Sequence, residues 1–228
     1  DRVRPFMRGG TWRNFKAKYV EAAQMYSRMI EVSDTLGGSH VASTRRDKAR
    51  TELYRAQCNC GFWHGCFGGL YLPFLRFETF RHLIAAEQHI LPRRTRPSID
   101  VEDYDLDGRP ELCIATANAK LYIKPDRGGH AYEWDDLDGE FNLMANLTRR
   151  QEAYHHHLLE TPGREEGDKS VASIHDRFEA KEEGLEKLLI FDPYVKESFV
   201  DHIFRHGTSL EDVALGKAEE LGEWRSAP

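Results

Sequence analysis

The sequence predicts an α+β protein: an antiparallel helical bundle followed by an antiparallel sheet, half of a β-sandwich. Three observations predict it. Apolar residues recur every three or four positions through the first ninety residues, broken by glycine pairs. Composition changes after the basic stretch RRTRPS at 93–98. Beyond it, short runs of strand character flank Asn-Ala and Asp-Gly turns.

Phe15, Tyr19, Ala22, Tyr26, Met29 and Ser33 share one face of a helix predicted over 13–36, which Gly37-Gly38 ends. A second helix is expected from Thr44, a suitable N-cap, with Asp47 three residues on in the manner of a capping box, to about Ala56 or Cys58. A third follows Gly68-Gly69. Pro73 suits its first turn, Phe74, Phe77, Phe80 and Ile84 mark its apolar stripe, and it ends near Leu91-Pro92. Short connections between helices of this length give an antiparallel bundle, the first domain, over 1–92. The basic stretch reads as a solvated linker opening a second domain over 93–228. There, 111–116 and 120–124 are strands around Asn118-Ala119, and 131–134 and 140–144 flank Asp138-Gly139, a hairpin signal. Residues 148–159 read as a helical insertion and 160–169 as a polar loop, whereas 185–204 mixes both periods.

With 228 residues, 40% hydrophobic and 31% charged, the chain can bury a core. A net charge of −6 argues against nucleic acid, whose binders present a basic face to phosphates. No apolar run approaches the roughly 18 residues that would span a bilayer. The start shows no signal-peptide pattern. The chain opens without Met inside a patterned segment, so it reads as a piece of a longer protein. Cys58, Cys60 and Cys66 crowd together while Cys113 stands apart, which suits reduced thiols and a cytoplasmic location.

Four constellations are candidates for chemistry. In QCNCGFWHGCFGG, residues 57–69, Cys58, Cys60, His64 and Cys66 could be zinc ligands, yet zinc sites favour two knuckles separated by a loop. The same stretch offers Asn59, Trp63 and His64 to a sugar: indole stacks on C–H faces, and Asn and His bond hydroxyls. The sequence Asp103-x-Asp105-x-Asp107-Gly108 resembles the start of a calcium loop, with Glu111 as a further ligand; the alternative is an acidic turn before a strand. His155, His156 and His157 point in three directions on a helix and cannot share one ion. No cofactor is expected.

The run LYRAQCNCGFWHGCFGGLYLPFLR, 53–76, resembles the fifth conserved region of glycoside hydrolase family 57, in its 4-α-glucanotransferase and α-amylase branch. RGGTWRNFKAKYVEA upstream and DYDLDGRPEL, KPDRGGHAYEWD, LTRRQEAYH and FDPYVKESFVDHIF downstream resemble further pieces of the family, in order. The resemblance implies the central helical domain and an incomplete C-terminal β-sandwich. It places a retaining Glu nucleophile and Asp acid/base on an N-terminal catalytic barrel upstream, so no catalytic residue is expected in this chain. The substrate would be an α-1,4-glucan or maltooligosaccharide, with Asn59, Trp63 and His64 as cleft-wall contacts. The chain departs from the family pattern at Cys60, where an Asp is expected, at Gly61, where a larger residue is, and at Val195 and Lys196, where arginine is. A non-catalytic carbohydrate-binding β-sandwich is the other reading.

Overall fold

A computed structural model describes residues 10–64, 68–160 and 184–222. The chain forms two compact units. One holds residues 10–147 with 197–202, and the other 148–196 with 203–222.

The first unit begins with α1 (Trp12–Lys18), capped by Thr11, whose hydroxyl accepts from the Asn14 amide. The helix predicted over 13–36 is broken at Tyr19, and α2 (Val20–Gly38) continues it. No Gly or Pro marks the break. Tyr19 is buried, with its ring 4.6 Å from Phe15, and leaving helical geometry (φ −112°, ψ 88°) seats it in the core. Tertiary packing here overrides the local pattern. Gly37-Gly38 ends α2 as expected, and Ser39 N–H caps onto the Leu36 carbonyl.

The next helix, α3 (Ser43–Ala56), starts one residue before the predicted cap. The Thr44 capping box does not form: the Ala42 carbonyl accepts from Arg45 and Arg46 N–H, and Asp47 pairs with Arg50 at 3.3 Å instead. Pro73 opens α4 (Pro73–Ile90), where its missing N–H costs nothing. Arg45 donates to the Gln88 carbonyl and His82 Nδ1 lies 2.6 Å from Glu52 Oε2, so α3 and α4 run antiparallel. Val32 and Leu36, Ala49, Leu53 and Ala56, and Leu83, Ala86 and Ile90 close one core. Met25, Phe62, Leu70 and Phe80 belong to a second, around Tyr19.

Five strands follow as an antiparallel meander, β1-β2-β3-β4-β5, which establishes the α+β class. They are β1 (Ser98–Glu102), β2 (Glu111–Ala115), β3 (Ala119–Lys124), β4 (His130–Asp136) and β5 (Phe141–Asn142). Both predicted hairpins form. Among the described residues this is the only sheet. Part of the stretch read as linker is strand: Ser98 opens β1, an edge strand pairing Asp100 with Cys113. Its Ile99 and Val101 are exposed. On β2, Glu111, Cys113 and Ala115 alternate inward. Cys113, Ala115, Tyr122 and Tyr132 pack together, with Tyr104 over Tyr122.

An ion network ties helices to sheet within this unit. Arg28 of α2 reaches Glu87 of α4 at 2.8 Å, Glu133 of β4 at 2.9 Å, Asp135 at 3.5 Å, and Glu31 at 2.9 Å. Lys120 of β3 also contacts Glu87. Burial disfavours the charge on Glu87, but Arg28 and Lys120 outweigh it and hold the carboxyl near 2. Burial pushes Asp135 up to about 6 and raises Glu133 well above the carboxylate range.

In the second unit, α5 (Ala153–Glu160) lies inside the predicted insertion, and α6 (Leu210–Ala214) was not foreseen. The loop predicted beyond 160 lies outside the described residues, apart from Glu160 itself. The segment of mixed period forms one 3₁₀ turn, Leu185–Leu188, and irregular chain. Arg149 (2.5 Å) and Lys196 (3.2 Å) both pair with the buried Asp192 carboxylate. Lysine at 196 thus keeps a charge pair where the family pattern implied arginine.

Candidate functional site: an aromatic and glycine loop

Residues 57–72 join α3 to α4, with two 3₁₀ turns, Asn59–Phe62 and Gly69–Tyr71. Phe62 and Leu70 are buried and act as the two anchors of the loop. Between them Trp63 turns extended (φ −144°, ψ 170°) and is half-buried, as is His64, while Asn59 is exposed. The three predicted sugar contacts therefore sit on one short loop, each with surface open to solvent.

Backbone contact fixes the loop. Leu70 N–H donates to the Trp63 carbonyl at 2.6 Å. A Cβ at Gly69 would stand 2.1 Å from that oxygen, and φ there is +52°, so only glycine fits. Gly61 is tight as well: an added Cβ would lie 2.9 Å from the Thr79 hydroxyl. That accounts for a small residue where the family pattern implied a larger one. Arg76 of α4, buried, donates to the Leu70 carbonyl at 2.6 Å and the Ala145 carbonyl at 3.1 Å. It clamps the loop to the helix beneath, and burial lowers its pKa.

His64 Nδ1 donates to the Gly68 carbonyl at 3.2 Å. A carbonyl only accepts, so the proton sits on Nδ1. The ring lies 4.4 Å from Tyr71 and 6.0 Å from Tyr19. Sequence reasoning missed Tyr71 and Tyr19 as members of this cluster. Tyr71 was legible in the quoted run as an aromatic two residues after the glycine pair; Tyr19 was not, since only the break before α2 brings it here.

The zinc reading gains nothing. Cys58 and Cys60 are exposed free thiols, and among the described residues no Cys/His group converges; Cys66 lies outside them. On α5, His155 is half-buried against Phe191 (5.4 Å) and His156 is exposed; the side chain of His157 lies outside the described residues. The acidic turn does converge, through three of the four expected residues. Asp103, Asp105 and Glu111 each bring an oxygen within 4.8 Å of the others, and Asp107 is not among them. Burial raises Glu111 to about 7.

Comparison with known proteins gives this geometry a context. Residues 10–90 match the family described as alpha-amylase/4-alpha-glucanotransferase, middle domain, and residues 103–228 match its C-terminal counterpart. The chain is 40% identical over 213 residues to alpha-amylase 1 of Dictyoglomus thermophilum, covering 93% of this chain and 30% of that protein. It is 36% identical over 224 residues to the 4-alpha-glucanotransferase of Thermococcus kodakarensis, covering 98% and 32%. The crystal structure of 4-alpha-glucanotransferase from Thermococcus litoralis superimposes with a TM-score of 0.76 at 30% identity, over 100% of this chain and 30% of that one. The chain thus spans about a third of the length of these relatives. In sequence and in fold it belongs to the alpha-amylase/4-alpha-glucanotransferase family, the branch of glycoside hydrolase family 57 that its motifs resemble.

Proposed function

We propose that the chain is the non-catalytic part of an α-glucan-processing enzyme, a retaining glycoside hydrolase or 4-α-glucanotransferase acting on α-1,4-glucans. Residues 1–92 serve as the helical domain walling the sugar cleft, and 93–228 as the β-rich support. The reacting Glu and Asp belong to a catalytic barrel of the same protein. Retention needs two carboxyl groups about 5–5.5 Å apart across the scissile bond. No residue of this chain is assigned to that pair.

One observation carries the reading: Trp63 and His64 are only half-buried on a loop fixed from behind by glycine and Arg76. A rigid indole with one open surface suits the apolar face of a glucose unit, and Asn59 beside it offers both a donor and an acceptor. Free thiols at Cys58, Cys60 and Cys113 support a cytoplasmic setting. Among the described residues no helix is long and apolar enough to cross a membrane. The net charge of −6 gives no support to a nucleic-acid partner.

The test is Trp63→Ala in the full-length enzyme, assayed on maltooligosaccharides. Loss of one stacking contact, about 1 kcal/mol, should weaken productive binding several-fold with little change in melting temperature. Unchanged glucan handling would overturn the assignment. Turnover of maltooligosaccharide by this chain alone would overturn the division of labour.

A further inference from the structure

We propose that the connection between β1 and β2 is a calcium site, with Asp103, Asp105 and Glu111 as its carboxylate ligands. The ligands come from one hairpin. Asp103 and Asp105 follow β1, and Glu111 is the first residue of β2, so pairing of the two strands assembles the group. One oxygen from each lies within 4.8 Å of the others. Calcium binds oxygen at 2.3–2.6 Å, so two oxygens of one shell stand at most about 5 Å apart. The cluster lies within that span. A magnesium shell, at 2.0–2.1 Å, is limited to about 4.2 Å and keeps most of its waters.

A second observation points to a ligand independently of the loop's shape. Glu111 is 0% exposed. Its Oε2 accepts from the Tyr104 and Asp105 amides at 2.8 and 3.1 Å, but Oε1 is buried with no hydrogen-bond donor. A buried carboxylate oxygen without a donor is costly, and a cation would satisfy it. Lys124, itself buried, meets Asp105 and supplies one positive charge. Three carboxylates face that single ammonium, an excess of two that matches a divalent ion. The ligand set is all oxygen, which favours a hard cation over zinc or copper.

The remaining contacts set the shape of the loop. Asp103 accepts the Asp107 and Gly108 amides, both at 3.0 Å, and Asp105 Oδ1 accepts the Asp107 amide at 3.1 Å. Gly108 takes φ +93°, which suits the sharp return of the chain. Asp103 is exposed and Glu111 buried, so the ion would enter from the Asp103 side and complete its shell with water. Asp107, on the rim near Arg127, is assigned no ligand role.

The experiment uses the intact protein stripped with EDTA. Terbium is the first probe, because Tyr104 lies within the loop and can sensitise its emission. Tyrosine-excited terbium emission should appear, be displaced by calcium, and fall at least tenfold in both Asp103→Asn and Glu111→Gln. Calcium should raise the melting temperature of the parent, and magnesium at equal concentration should not. Folding of each variant is checked by circular dichroism, and if Glu111→Gln fails to fold, exposed Asp103→Asn alone decides. Equal terbium emission in parent and Asp103→Asn, or no calcium-dependent change in melting temperature, would overturn the site. Loss of calcium binding at Asp103 with unchanged glucan transfer would leave the Trp63 reading intact.

Discussion

Two carboxylate clusters lie in the same unit and answer their charge in different ways. Around Arg28, Glu31, Glu87, Glu133 and Asp135 come from two helices and a strand, and a guanidinium fills the centre. In the β1–β2 connection, Asp103, Asp105 and Glu111 come from one hairpin, and the single ammonium of Lys124 pairs with Asp105. The first arrangement supplies its own cation and joins layers, so it is structural. Each cluster keeps one buried oxygen without a donor, Asp135 Oδ1 in the first and Glu111 Oε1 in the second, but only the second has no guanidinium at its centre, so it is open to an ion from outside. The decisive difference is where the compensating charge resides, because the residue types are the same.

The largest effect should come from breaking the first cluster. Arg28→Met strands buried carboxylates and should cost roughly 3–5 kcal/mol in urea unfolding. Adding Glu87→Met and Glu133→Leu to that variant should return part of the loss, because two of the stranded carboxylates give way to apolar packing while Asp135 remains. If the single variant is nearly neutral, the network is not what joins helices to sheet.

Gly69→Ala comes next and concerns a loop held by shape rather than by charge. The added methyl meets the Trp63 carbonyl at 2.1 Å and a positive φ, so a loss of about 2 kcal/mol or more is expected. That loss should be the same in low and high salt, whereas cluster variants need not be.

A smaller signal should appear in stability against pH. Glu87, held near 2, contributes stability that is full above about pH 4.5 and is lost as pH falls toward 2. Asp135, raised to about 6, acts the other way: its proton stabilises the fold below about pH 4, and that contribution is lost as pH rises through 6. Urea midpoints against pH should therefore show an acid limb that Glu87→Gln flattens and an upper limb that Asp135→Asn flattens. An unchanged profile in both variants would show that Arg28 keeps every carboxylate in a fixed state. The least effect belongs to the exposed Arg205–Glu219 pair of the second unit, where Arg205→Ala should shift stability by about 0.5 kcal/mol or less.

How much of this was legible beforehand depended on the range of the interaction. The helices, both hairpins and the Trp63-His64 loop follow from local pattern: periodicity, glycine pairs, Pro73 and Asp138-Gly139. What stayed hidden is long-range. The break at Tyr19 has no local breaker and exists because a core accepts the ring. Arg28 looks like any charged helical position until Glu87, Glu133 and Asp135 meet it from 59, 105 and 107 residues away. The acidic turn was legible as a triplet with Glu111 as a further ligand; that Asp107 drops out of the converging group was not.

The strand that opens the sheet has a practical consequence. Among the described residues β1 has no partner on one flank, and its Ile99 and Val101 side chains are exposed. An unpaired flank with apolar side chains invites a second polypeptide to add on. The arginines at 93, 94 and 96 and Pro97 immediately precede it, and charge and proline beside a sticky strand discourage such growth. Neutralising those arginines should therefore reduce solubility before it alters the fold.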